Sequence, residues 1–165
     1  MKALQELLNE DPALVGTMVI EFIGNVNSAF KSYVEQDKIL SQVTRFVNHV
    51  PHNKLLEIYG QTDLQLLVLA HTAIAPGNLP GKFFEYLASG NPILAIGPVE
   101  GDAAGVLMET YSGVIHERED AEGIKASLRN FYTDWKGERL NAERNIGKYS
   151  RNELTVQLVK LLTEG

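Results

Sequence analysis

Residues 78–94, NLPGKFFEYLASGNPIL, carry the clearest local signals in the chain, a helix with a defined start and end followed by a strand. Asn78 is a residue type that caps helices, Pro80 suits the first helical turn, and Gly90 ends the helix. A helix N-terminus carries partial positive charge and unpaired N–H groups. The cation Lys82 therefore lies at the unfavourable end of its helix unless an anion joins it there.

Helical spacing separates the side chains of this segment into two faces. Apolar side chains form one stripe, which predicts core packing: Phe83, Tyr86 and Leu87, widened by Phe84 and Ala88. The other side is shared by Gly81, Lys82, Glu85 and Ser89. Lys82 is the only Lys or Arg between Lys54 and Arg118. A single cation beside backbone amides suits a phosphate or diphosphate.

The polar side chains of this helix each have two interpretations. Lys82 binds a phosphate, or it is solvated or pairs with Glu85 in the poorer orientation for such a pair. Glu85 accepts hydrogen bonds from the vicinal hydroxyls of a ribose, as acidic residues do in other nucleotide-binding α/β folds, or it is an exposed helix residue. Gly81 allows a ligand to approach the backbone closely.

Apolar runs and amphipathic stretches alternate along the whole chain, which predicts strands and helices in turn. Strands are expected within residues 17–26, 43–50, 64–70, 91–97 and 112–117. Helices are expected within residues 1–10, 27–38, 51–60, 97–111 and 121–132, with Asp102 as an N-cap, and from residue 134 onward. The apolar run LQLLVLA, residues 64–70, is typical of a strand covered on both faces.

This alternation predicts an α/β fold with a Rossmann-like, doubly wound parallel sheet and helices on both faces. We expect one domain over residues 1–165, without the leading strand of such folds, because the chain enters through a helix. In open parallel sheets, ligands bind beyond the carboxyl ends of the strands, often at helix N-termini. Lys82 is expected in such a place.

Composition argues against several classes of function. The chain of 165 residues is 44% hydrophobic, as expected for a soluble domain with a substantial core. A net charge of −6 disfavours a nucleic-acid or anionic-membrane surface. Without cysteine there are no thiolate metal sites, and the four histidines lack paired metal spacing. No G-x-S-x-G segment supports hydrolase chemistry, and no apolar run approaches the ~20 residues of a membrane span.

The segment PGKFFEYLASGNPILAIGP, residues 80–98, resembles the donor-binding half of GT-B glycosyltransferases, of the retaining, family-4 type that uses nucleotide-diphosphate sugars. The resemblance extends to FIGNV, NHVPHNKLLEIYGQTDLQLL, GDAAGVLMETYSGVI and YSRNELTVQLVKLL. The motif around Lys82 and Glu85 is fairly specific, and the flanking pattern is generic. The resemblance therefore covers nearly the whole chain but depends chiefly on one helix.

The resemblance implies roles for particular residues. Glu85 matches the second of two family glutamates, which binds the ribose. The diphosphate would be lined by Leu79, Pro80, Gly81 and Lys82. The base would lie near His49, Val50 and Pro51. The family's first glutamate falls on Gly77, so that backbone at Gly77 and Asn78 would replace its contact with the donor sugar.

The implied function is that of the donor-binding domain of a glycosyltransferase, which moves a sugar to an acceptor such as a growing polysaccharide or a lipid-linked glycan. The family's preceding strand and its acceptor-binding N-terminal domain have no counterpart, so we expect an inactive fragment. The expected partners are the nucleotide-sugar donor and the missing domain, with no nucleic acid, metal or other cofactor. Neighbouring strands, or another copy of the chain, would close an exposed sheet edge. We expect a cytoplasmic enzyme, peripheral to the membrane at full length.

Two other classes of protein remain as alternatives. The first is a non-catalytic, flavodoxin-like interaction or regulatory domain, which predicts no dependence on Lys82 or Glu85. The second is a fragment of a sugar-nucleotide epimerase. The loop GPVEGD, residues 97–102, either closes over the donor or is a plain turn between a strand and a helix.

Overall fold

The computed structural model describes residues 1–70, 77, 79–140, 144 and 146–164, and within them the strand pairings are parallel. The chain forms two compact units. The first contains Met1–Leu55 and Ala121–Ala126, and the second contains Leu56–Asp120 and Ser127–Gly165. The predicted α/β class is confirmed, and the parallel sheets are compatible with a Rossmann-like fold. The single domain over residues 1–165 stays a prediction.

The five strands and most of the helices lie within the ranges that the sequence pattern predicts. The exceptions are a helix over Leu40–Val43, which the pattern does not predict, and the helix predicted within residues 121–132, which extends to Lys136. The helices in the described residues are α1 (Lys2–Glu10), α2 (Ser28–Gln36), α3 (Leu40–Val43), α4 (His52–Gly60), α5 (Gly81–Ser89), α6 (Asp102–Thr110), α7 (Ala121–Lys136) and α8 (Arg151–Glu164). The strands are β1 (Ile20–Ile23), β2 (Thr44–Val47), β3 (Gln65–Val68), β4 (Ile93–Ile96) and β5 (Gly113–His116). Within this part of the chain, none of the helices combines the length and apolarity needed to cross a membrane.

An aromatic cluster attaches α2 to the two-stranded sheet of the first unit. β1 and β2 pair in parallel with Phe22 opposite Phe46. The ring of Phe30 on α2 lies 5.2 Å from that of Phe22 and 6.3 Å from that of Phe46, in edge-to-face geometry with both. Asn27 begins the helix, because its side chain accepts hydrogen bonds from two N–H groups of the first turn.

A buried cation joins α1 to the start of α7, also within the first unit. The Lys125 side chain is 6% exposed, and its Nζ lies 2.8 Å from Glu10 Oε1, 2.7 Å from Glu122 Oε1 and 3.6 Å from Glu6 Oε2. Hydrogen bonds to Glu10 and Glu122 raise the pKa of Lys125. The ammonium group therefore stays charged and compensates the surrounding carboxylates.

The second unit is built on a three-stranded parallel sheet in the order β3-β4-β5. In sequence, α5 connects β3 to β4, and α6 connects β4 to β5. The core of this unit consists of Leu67, Leu69, Phe83, Leu87, Ile93, Ala95, Ala103, Val106 and Leu107. Buried Phe83 and Leu87 are one helical turn apart on α5, as the predicted apolar stripe requires.

The prediction that β3 is covered on both faces is wrong. Gln65 and Leu67 are buried, whereas Leu66 is 38% and Val68 52% exposed. Successive side chains of a strand point to opposite faces, and the core of the unit covers only one of them. Gln65 tolerates burial because its Nε2 donates a hydrogen bond to the carbonyl oxygen of Tyr59 at 2.9 Å.

Two predicted N-caps are wrong: the expected cap Asn78 is two positions too early for α5, and the expected cap Asp102 is one position too late for α6. Pro80 is the N-cap of α5 rather than part of its first turn, and Gly101 is the N-cap of α6, with Asp102 as its first residue. In the described part of the chain, no side chain caps the start of either helix. Gly90 ends α5 as predicted, with a φ of 76° in the left-handed region that glycine adopts readily.

Gly113 lies where the backbones of β4 and β5 approach too closely for a side chain. A Cβ added there would be 1.9 Å from the carbonyl oxygen of Ile93, whereas one added at Gly105 in α6 would meet no atom within 4 Å outside its own helix backbone. We expect Gly113→Ala to lower the free energy of unfolding by about 3 kcal/mol, because the two strands must separate. The matched variant Gly105→Ala should raise it by about 0.5–1 kcal/mol. Urea denaturation measures both, and equal effects of the two variants would contradict the strand contact.

Candidate functional site

The start of α5 presents backbone N–H groups that no side chain of the described residues caps. Pro80, the N-cap, has extended backbone, and its carbonyl oxygen accepts a hydrogen bond from the Phe83 N–H at 2.9 Å. Gly81 is exposed, and a Cβ added there would meet no atom of the described residues within 4 Å, apart from its chain neighbours and its own helix backbone. Among the residues that the structure describes, none obstructs the N-terminal turn of α5, and the partial positive charge of that turn favours an anion.

Lys82 places a positive charge beside this open turn. Its side chain is exposed, and it makes no hydrogen bond or ion pair with any other residue that the structure describes. The structure therefore does not contain the ion pair between Lys82 and Glu85 that the sequence left as an alternative. The ammonium group is available to a ligand and lies at the helix end that already attracts anions.

Glu85 lies one turn further along α5 and is half-buried. Burial raises the pKa of both Tyr59 and Tyr86, and the negative charge of Glu85 raises each of them further. The rings of these tyrosines meet edge to face, with centroids 5.0 Å apart and planes at 85°. Glu85 therefore lies in a polar and aromatic environment and is not simply a solvated residue.

The backbone of Tyr59 is anchored at the amino ends of two strands. Its carbonyl oxygen accepts hydrogen bonds from Gln65 Nε2 at 2.9 Å and from Asn91 Nδ2 at 2.6 Å. Gln65 is the first residue of β3, and Asn91 precedes β4. The pair of Tyr59 and Tyr86 therefore contacts the C-terminal half of α5. Lys82 lies at the other end of this helix, which follows the carboxyl end of β3.

Sequence reasoning did not identify Tyr59, Gln65 or Asn91 as parts of this arrangement. The available signal was Gln65, a polar residue that interrupts the apolar run LQLLVLA. A buried amide needs a hydrogen-bond partner, but the sequence does not indicate which carbonyl supplies it. Tyr86 was predicted as a core residue, and it is partly buried against the core of the second unit.

The remaining predicted residues of the loop before α5 are placed as follows. Gly77 is exposed, and Leu79 and Pro80 are half-buried. Leu79 packs against the core cluster, so only its backbone is available to a ligand. Asn78 lies outside the described residues, and its predicted contact with a donor sugar stays a prediction.

The predicted base-binding residues belong to the other compact unit. His49, Val50 and Pro51 lie in the loop between β2 and α4, where His49 and Pro51 are exposed and Val50 is half-buried. This loop follows the carboxyl end of a parallel strand, as a ligand-binding loop should. Its residues are not part of the unit that contains Lys82 and Glu85.

The loop at residues 97–102 is held by a side chain from the end of the next strand. The Val99 N–H donates a hydrogen bond to Glu117 Oε1 at 3.0 Å. The following helix α6 has the acidic residue Asp102 in its first turn. A carboxylate at this helix N-terminus disfavours a second anion there, so the loop is a poorer phosphate site than the start of α5. Across the described part of the chain, no three His, Asp or Glu side chains are grouped as metal ligands.

No protein-family model matches the chain, and no curated protein matches its sequence. A function for this site has to be argued from the arrangement of Lys82, Glu85 and the open turn of α5.

Burial raises the pKa of Tyr86 to about 12, with further contributions from Tyr59 and Glu85. The neutral phenol is favoured in the folded protein, so this contribution to stability is complete below the ordinary value of 10.0 and is lost as the pH rises toward 12. In a titration that follows the absorbance of ionised phenols, we expect Tyr86→Phe to remove a late-ionising group. Tyr33→Phe, at an exposed tyrosine, is the control and should leave the late step intact. A titration curve of Tyr86→Phe that matches that of the wild-type protein at its late end would contradict this assignment.

Proposed function

We propose that the second unit binds the diphosphate of a nucleotide sugar at the start of α5, as the donor-binding domain of a glycosyltransferase. The observation that carries the proposal is the exposed Lys82, which has no hydrogen-bond or ion-pair partner among the described residues, beside helix N–H groups that no described side chain caps. The resemblance of residues 80–98 to GT-B glycosyltransferases supports the same assignment. No other described feature of this unit combines a cation with an open helix N-terminus.

The charge distribution of the protein favours a diphosphate at the start of α5. With a net charge of −6, the protein as a whole repels anions, so a phosphate needs a local site that offers several donors at once. The first turn of α5 offers N–H groups and the helix dipole, and Lys82 offers an ammonium group. Gly81 has no side chain to obstruct the approach of a phosphate oxygen to this turn.

Glu85 would bind the nucleoside portion of the donor. A carboxylate is a poor neighbour for a phosphate, but it accepts hydrogen bonds from the vicinal hydroxyls of a ribose. Its position one turn beyond Lys82 separates it from the phosphates along the helix, by about 5 Å of axial rise. The half-buried setting of Glu85 beside the tyrosine pair limits competition from water.

The proposed chemistry is electrostatic. When the bond between the sugar and the diphosphate breaks, negative charge develops on the departing diphosphate. The helix N-terminus and Lys82 would stabilise that charge without reorganisation, because their dipoles and charge are already in place. The acceptor would be supplied by a further domain, and retention of the anomeric configuration is implied by the family resemblance alone.

Calorimetric titration of the protein with UDP, GDP and dTDP tests the diphosphate site. We expect binding of at least one of them, weakened about 10-fold or more by Lys82→Ala, because a hydrogen bond to a charged group contributes about 1.5–3 kcal/mol. Lys160→Ala, which removes an exposed lysine on α8, is the matched control and should leave the affinity unchanged. Absence of binding, or equal binding by Lys82→Ala, would reject the proposal and favour an interaction or regulatory domain.

A comparison of UDP with 2′-deoxy-UDP tests the role of Glu85 separately. The wild-type protein should prefer UDP, because only UDP presents a vicinal diol to the carboxylate. Glu85→Ala should lose that preference while retaining its dependence on Lys82. Glu35→Ala, at an exposed glutamate of α2, controls for the loss of one negative charge. A preference that persists in Glu85→Ala would show that the ribose is bound elsewhere.

A further inference from the structure

Three polar side chains of the second unit form a hydrogen-bonded chain that the proposed nucleotide site does not use. His116 is the last residue of β5, Asp120 precedes α7, and Ser127 lies within α7. The distance from His116 Nδ1 to Asp120 Oδ2 is 2.9 Å, and that from His116 Nε2 to Ser127 Oγ is 2.8 Å. One ring nitrogen of His116 is thus paired with a carboxylate and the other with a hydroxyl group.

The partners determine where the proton lies on a neutral imidazole. An ionised carboxylate only accepts hydrogen bonds, so the proton between Asp120 and His116 is carried by Nδ1. Nε2 is then the basic nitrogen, and the Ser127 hydroxyl donates to it. This is the order carboxylate, imidazole, hydroxyl that activates a serine in acyl-transfer enzymes, where it is recognised by geometry rather than by sequence position.

The exposure of the three side chains suits such a role. The imidazole side chain is 17% exposed, and the Asp120 side chain is 46% exposed. Ser127 is half-buried as a whole residue. A shielded imidazole next to a surface-accessible serine can accept a proton while a small ester reaches the hydroxyl.

We propose that Ser127, His116 and Asp120 form a second reactive site that transfers acyl groups from small carboxylic esters to Ser127 and then to water. Ser127 Oγ is the nucleophile, His116 Nε2 is the general base, and Asp120 is a positioning residue that acts through His116. The site is independent of Lys82 and Glu85. Its serine lies within a helix and outside any G-x-S-x-G segment, which is why the sequence pattern alone argued against hydrolase chemistry.

The reaction proceeds in two balanced steps. In the first, Ser127 Oγ bonds to the ester carbonyl carbon as its proton passes to His116 Nε2, and the carbon–alkoxide bond breaks as the alkoxide takes that proton. In the second, water gives a proton to Nε2 and its oxygen bonds to the acyl carbon. The bond to Ser127 Oγ then breaks, and Oγ recovers the proton. One ester and one water become one acid and one alcohol.

Labelling with a fluorophosphonate, followed by intact mass and peptide mapping, tests the nucleophile. We expect one phosphonyl group per chain, on Ser127, with loss of labelling in Ser127→Ala and a decrease of about 100-fold in rate in His116→Ala, the contribution expected of a general base. Ser32→Ala, at an exposed serine of α2, should label like the wild type. Hydrolysis of p-nitrophenyl acetate should fall in the same variants and persist in Ser32→Ala.

A cysteine scan gives a readout that does not depend on ester turnover. The chain has no cysteine, so Ser127→Cys and Ser32→Cys each carry a single thiol. The imidazole should favour the thiolate, so we expect iodoacetamide to alkylate Ser127→Cys about 10-fold faster than Ser32→Cys despite its lower exposure. The combined Ser127→Cys and His116→Ala variant should lose this advantage, with circular dichroism to confirm that each variant is folded.

Two results would overturn the proposal. One is that Ser127→Ala is labelled, and hydrolyses the ester, as fast as the wild-type protein. The other is a Ser127→Cys thiol that reacts no faster than that of Ser32→Cys. Either result, accompanied by lower stability of the variants, would assign the three side chains a structural role in attaching α7 to β5. Nucleotide titrations of the same variants keep this test separate from that of the donor site.

Discussion

The burial of Phe83 and Leu87 is the constraint on which the candidate site depends. These side chains, fully buried or nearly so, occupy one face of α5 against β3 and β4 and fix the rotation of the helix about its axis. A side chain at the position before Phe83 must then point away from the core. Lys82 is exposed because its neighbour is buried, and the same packing leaves the first turn of α5 open. The packing of α5 against the core therefore also determines the geometry of the candidate site.

The parallel sheets impose a second constraint, which concerns where functional residues can lie. Loops that follow β3, β4 and β5 leave the same edge of the sheet, because parallel strands share their carboxyl ends. The start of α5, the loop at residues 97–102 and His116 are each at such an end. Close backbone approach at Gly113 sets the spacing between β4 and β5, and thereby the position of His116 at the end of β5.

The sequence predicted most helices and strands correctly. It did not predict which side chains become buried when these elements pack together. Periodicity located the strands and helices, because alternation and helical spacing are local properties. It did not show that β3 has one exposed face, since a continuous apolar run does not reveal how much of it will be covered. Lys125 was not recognised as buried, because its partners Glu6 and Glu10 are more than a hundred residues away in the chain. Such charge clusters arise only when distant helices meet.

The sequence by itself determined the α/β class, the helix at residues 81–89 and the isolated cation at its start. These follow from spacing, from glycine and proline signals and from charge order within a few residues. Only the tertiary structure decided that Lys82 makes no hydrogen bond or ion pair within the described residues and that the charge of Glu85 contributes, after burial, to raising the pKa of Tyr59. It alone also brought Ser127 and Asp120 to opposite nitrogens of His116. The physical reason is that hydrogen bonds and burial depend on distances in space, and the order of residues along the chain does not specify those distances.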